Sequence, residues 1–107
     1  MGTLNYAKTT VDFDDRVLAH LKVVIVSKLR RGEPLQLSWK EPGETGHGRS
    51  SIWLHPTIPL TFKFNGSRPP SLNPDWLAVL MASANSNQGL HVSSEPEGPI
   101  APARRPR

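Results

Sequence analysis

Residues 50–64 read "SSIWLHPTIPLTFKF". Apolar residues alternate on both sides of a His55-Pro56-Thr57 break, with Ile52 and Leu54 before it and Ile58, Leu60, Phe62 and Phe64 after it. Successive side chains of a strand point to opposite faces, so this period of two marks two half-buried strands. A turn of three residues puts Leu54 and Ile58 on one face, and the stretch predicts an antiparallel hairpin with one apolar side. The fold follows from what covers that side.

Upstream, "PLQLSWK" (34–40) alternates Leu35, Leu37 and Trp39 with Gln36, Ser38 and Lys40. It extends the same sheet, joined to the next strand by the polar, Gly-rich "EPGETGHG" (41–48). At the N-terminal end, Leu4 and Tyr6 alternate, as do Val11 and Phe13. A two-residue loop at Lys8-Thr9 has the parity that places both pairs on one side.

Two helices complete the pattern. "DDRVLAHLKVVIVSKLRRG" (14–32) has Asp14 to cap its start, acids at the positive end of its dipole, and Lys28, Arg30 and Arg31 at the other. Gly32 offers the left-handed residue that ends it. Val17, Leu18, Leu21, Val24, Ile25 and Leu29 form one apolar stripe. Ala19, Val23 and Val26 form a second, on nearly the opposite side, and both stripes are expected to be covered. His20 falls between them, as a helix-flank residue. "LNPDWL" (72–77) starts the second helix with Asn73 as cap and Pro74 at the first position. Trp76, Leu77, Leu80, Met81 and Ala84 make its buried face, and "LHVS" (90–93) offers a short last strand.

These elements define an α+β fold: a mostly antiparallel sheet of about five or six strands with two helices packed on one face. A chain of 107 residues holds one such domain, placed at 1–93. Residues 94–107, rich in proline and arginine, read as a disordered tail.

Composition limits the chemistry. The absence of cysteine excludes a disulfide framework, a thiolate zinc site and a cysteine nucleophile. His20, His47, His55 and His91 lack the short spacing of metal ligands, so no metal is expected. No apolar run approaches the roughly 20 residues of a membrane span, and "MGTLNYAKTT" has no leader-like apolar core. A cytoplasmic protein without a membrane role is the expectation. The net charge of +4 is spread along the chain and favours an anionic partner.

If the alternation describes one sheet, its outward face displays Lys40, Trp53, His55 and Lys63, with Arg49 and Arg68 at its margins. An aromatic ring flanked by cations stacks bases and holds phosphates. The leading expectation is a noncatalytic module binding nucleic acid through these six residues, with no cofactor. The second is protein interaction or self-association, through the second stripe of the first helix and through Trp53.

"KFNGSR" (63–68) raises a third. It resembles Lys-x-Asp-Gly-x-Arg, the nucleotide-attachment motif of ATP-dependent DNA ligases, with Asn65 where that pattern has Asp. The blocks "LAHLKVVIVSKLRRGE" (18–33), "SSIWLHPTIPLTFKFNGSRPP" (50–70) and "LNPDWLAVLMASANS" (72–86) are similar to a family of small bacterial proteins of unknown function, often labelled ATP-dependent DNA ligase. The resemblance implies a shared fold. Under the ligase-like alternative Lys63 is the catalytic nucleophile and ATP the cosubstrate. Such a lysine needs desolvation or neighbouring cations to react at neutral pH.

Overall fold

The computed structural model describes residues 2–40 and 48–96. The expected loop at 41–47 and the expected tail from 97 onward lie outside the described residues. Within them the elements are β1 (Gly2–Tyr6), β2 (Thr9–Phe13), α1 (Asp15–Arg30), β3 (Leu35–Lys40), β4 (Arg49–Leu54), β5 (Leu60–Lys63), α2 (Pro74–Ala84) and β6 (Leu90–His91).

The class is α+β, but the single sheet is replaced by two of three strands each, ordered β2-β1-β5 and β4-β3-β6. The stretch 50–64 does not form a hairpin. It crosses between the sheets, β4 pairing with β3 and β5 with β1. Pro59 weakens the hairpin, because it falls on the expected second strand and has no N–H to give a ladder there. The Ile58 N–H instead closes a tight turn on the His55 carbonyl at 3.2 Å. Ile58 is left 38% exposed, off the expected core face.

β1 and β2 form the expected hairpin, shifted by one residue: Tyr6 pairs with Thr9 and the loop is Ala7-Lys8. The loop stays even, so Leu4, Tyr6 and Phe13 still share the buried side. β6 pairs with β3 in parallel, Leu37 opposite Leu90 and Ser38 opposite His91. The Val92 N–H extends this ladder to the Ser38 carbonyl at 3.0 Å.

One core serves both sheets. Phe13 of β2 meets Trp39 of β3 edge-on, with ring centroids 6.1 Å apart. The His55 N–H donates to the Tyr6 hydroxyl at 2.9 Å, tying the end of β4 to β1. α1 begins with Arg16 N–H donating to the Asp14 carboxylate and stops at Gly32, whose φ is +75°. Its inner stripe of Leu18, Leu21, Val24 and Ile25 is fully buried. Burial of each such side chain contributes about 1.5–3 kcal/mol against the entropy of ordering the chain. α2 starts where Asn73 accepts from the Asp75 and Trp76 N–H groups, and buries Trp76, Leu80 and Ala84.

His20 is fully buried rather than on the helix flank. It lies over Trp76 at 4.4 Å. Its Nδ1 donates to the Arg16 carbonyl at 2.7 Å and its Nε2 accepts from Asn73 N–H at 2.8 Å, which fixes the neutral tautomer. The second stripe of α1 is not covered as expected: Val23 is 39% exposed.

Candidate binding faces

With two sheets there is no single outward face, and the six expected site residues separate. Register places Lys40 opposite Arg49 and Trp53 opposite Gln36, so Lys40, Arg49 and Trp53 share the outer face of β4-β3-β6. Lys63 lies on the other sheet, opposite Thr3, on a face shared with Asn5 and Asp12. His55 sits in the turn after β4, its Nδ1 and the Thr57 hydroxyl 2.8 Å apart. Arg68 belongs to the connection between β5 and α2, beside α1.

Lys63 is exposed, so burial does not raise its reactivity. The rest of its motif is used structurally. The Gly66 and Asn65 N–H groups donate to the Asp15 carboxylate at 2.9 and 3.3 Å, clamping the turn to the start of α1. These amide donors, Gly66 foremost, hold the Asp15 carboxyl below its usual range. Asn65-Gly66 therefore has a full explanation as an anchoring turn.

The outer face of β4-β3-β6 is polar. An open concavity of about 710 Å³ is lined by Gln36, Ser38, Arg49, Ser51, Gln88 and His91. The Ser38 and Ser51 hydroxyls are 2.8 Å apart and share a hydrogen bond across the strands. His91 reaches this face through the parallel pairing, and its backbone N–H donates to the Ser83 hydroxyl at 2.9 Å. Its ring Nε2 is buried and has no hydrogen-bond partner among the described residues. A smaller hollow of about 210 Å³ adjoins, adding Lys40 and sharing Ser38, Arg49 and His91. Trp53 stands on the same face, 58% exposed. Gln36, Ser38 and Ser51 carry a readable signal, since they alternate with the buried positions. The contributions of Gln88 and His91 depend on β6 returning beside β3, which no local pattern announces.

A second concavity, of about 650 Å³, runs between α1 and residues 64–72. Its floor is apolar, with Val23, Val26, Phe64, Pro69 and Leu72, and Lys22, Arg30 and Arg68 stand in its wall. The Lys22 ammonium lies 5.8 Å from the Phe64 ring centroid.

The cluster at Arg16 is a structural clamp. Its guanidinium donates to the Glu95 carboxylate at 2.6 and 2.8 Å and to the Ser71 carbonyl at 2.7 Å. Asn73 Nδ2 donates to Glu95 at 2.8 Å. The guanidinium, and after it the Asn73 amide, bring the Glu95 carboxyl down to about 2. Glu95, assigned by sequence to the tail, is thus tied to the domain. Lys28 is likewise engaged, by Asn85 at 2.6 Å and Glu33 at 2.7 Å. Among the described residues there is no grouping of His, Asp and Glu that could hold a metal, and no helix long and apolar enough to cross a membrane.

The described residues thus form two three-stranded sheets around one core, with separate concavities on the outer face of β4-β3-β6 and beside α1. The sequence matches over residues 1–95 a family described as a domain of unknown function (DUF7882), and the chain belongs to that family. No curated protein and no solved structure matches it.

Proposed function

We propose that the chain is a noncatalytic module that binds single-stranded nucleic acid on the outer face of β4-β3-β6. The observation that carries this reading is Trp53, 58% exposed on a face where Lys40 and Arg49 stand opposite one another. An indole in that position is a stacking platform for a base, and base stacking contributes about 1–3 kcal/mol. The two cations take backbone phosphates. Gln36 and Ser51, which line the concavity on this face, supply hydrogen-bonding groups for base edges and sugar. One ring and two cations suit a short single strand better than a duplex, whose bases are already stacked. His55, Lys63 and Arg68 lie off this face and drop out of the site.

Fluorescence anisotropy with labelled oligothymidine at low salt tests the reading. Trp53→Ala is expected to weaken binding about tenfold, within the range of one stacked base. Lys40→Ala and Arg49→Ala should each lower the salt slope by about 0.7. Lys63→Ala and Arg68→Ala serve as controls and should leave affinity unchanged. No binding at low salt, or equal affinity in Trp53→Ala, overturns it.

A further inference from the structure

We propose a second docking site, apolar-floored rather than polar: the groove between α1 and residues 64–72 takes an acidic peptide segment with apolar anchors. The second stripe of α1 supplies Val23 and Val26, and the connection after β5 supplies Phe64, Pro69 and Leu72. Val23 and Leu72 are 39% and 45% exposed, so the apolar floor is open to a partner. Phe64 packs against the core, but Val23, Val26 and Leu72 take no part in the core cluster, which the opposite stripe of α1 fills.

Charge decides among the occupants. Lys22, Arg30 and Arg68 surround the floor, and none of them forms an ion pair among the described residues. Asp15, beside Gly66 of the groove wall, accepts from the Asn65 and Gly66 amides. A second copy of this chain related by a two-fold axis would bring the same cations together, which costs rather than stabilises. The chain's own C-terminal stretch, with Arg104, Arg105 and Arg107, has the wrong sign.

Spacing separates a peptide from a lipid headgroup. Lys22 and Arg30 lie on one helix eight residues apart, about 12 Å along its axis at 1.5 Å per residue. At that spacing each cation meets its own acceptor without folding along the helix axis, which favours two separate carboxylates over one phosphate. Carboxylates two or three turns apart on a short amphipathic segment match it, while its apolar side enters the groove. None of the groove's residues belongs to the Trp53 face, so the two sites are independent.

A random-peptide library of about twelve residues, roughly three helical turns, selected on the immobilised full chain, tests this. The expected result is enrichment of sequences that combine Asp or Glu with Leu, Ile, Val or Phe. The best such peptide, synthesised and labelled, should bind about tenfold more weakly to Arg30→Glu and to Arg68→Glu. Both substitutions are on exposed side chains, so the fold survives them. Val23→Asp should abolish binding, and amide shifts on peptide addition should centre on Val23, Val26, Phe64 and Leu72. Trp53→Ala should bind the peptide normally, which separates this site from the nucleic-acid reading. The proposal is overturned by no enrichment, by enrichment of basic or uncharged peptides, or by binding indifferent to the charge reversals. It is equally overturned if phosphatidylglycerol vesicles bind where the peptide does not, or if light scattering finds a dimer that Val23→Asp dissolves.

Discussion

Single residues fix the geometry of both faces. Gly89 is the clearest case. Its φ is +84°, and a Cβ there would stand 2.6 Å from the Gln36 carbonyl oxygen and 2.9 Å from the Gln36 Cβ. Only glycine lets the chain turn after α2 and lay β6 against β3. Gly89→Ala is expected to cost at least about 2 kcal/mol, combining the backbone penalty with the clash, as read from urea denaturation midpoints. It should also move His91 off the polar concavity. Glu95 carries a different dependence. Its carboxyl has an ordinary value of 4.5 and is held at about 2 by Arg16 and Asn73 in the folded chain. A depressed carboxylate stabilises the fold fully above the unfolded value and loses that contribution as pH falls through the folded one. Stability should therefore decline from about pH 4.5 toward pH 2, and Glu95→Gln should flatten that decline while already being weaker at neutral pH. Denaturation midpoints of the two proteins at pH 7 and pH 3 check the sign.

Elements show where sequence reasoning reaches and where it stops. α1 was legible at both ends because its signals are local: Asp14 caps it, and Gly32 adopts the positive φ that ends it. The faces of the strands were legible too, since alternation states which residues are inside. Pairing was not. Alternation is silent about which strand lies alongside, and the apparent hairpin at 50–64 hid a crossing that only Pro59 hinted at. The same limit dispersed the candidate site. Lys40, Arg49 and Trp53 sit on strands that neighbour each other, and their common face was readable. Lys63 was assigned to that face only because β5 was assigned to that sheet. The second stripe of α1 was equally visible, but the partner wall of its groove comes from residues 64–72, a connection with no period to read. At this scale Asn73 is the test. It caps α2, donates its backbone N–H to His20 and its side chain to Glu95. Asn73→Ala should cost about 1–2 kcal/mol from the cap alone. It should exceed Ser71→Ala, whose contribution to the same clamp is a backbone carbonyl that survives the change. Thermal melts of the two variants compare them directly.

The whole molecule is two small sheets that neither sheet could hold alone, since three short strands need a covered apolar face. Phe13 against Trp39 and the Tyr6 hydroxyl under the His55 amide make the two halves one cooperative body. Unfolding followed by far-UV circular dichroism and by tryptophan fluorescence should give coincident transitions. Trp39 and Trp76 are buried in the shared core and report on it, whereas Trp53 is exposed already in the folded chain and changes its surroundings least on unfolding. Two separated transitions would mean that the sheets unfold independently.

The parallel closure of β6 on β3 has a consequence during synthesis. β1 waits for β5, from Thr3 to Lys63, and β3 waits for β6, from Leu37 to Leu90. A ribosome releases these partners tens of residues apart, so neither sheet can be completed while the chain is half made. The first hairpin and α1 emerge early with Leu18, Leu21, Val24 and Ile25 still bare. Completion of both sheets therefore waits for the chain from Leu60 to Val92, the last-made part of the described fold.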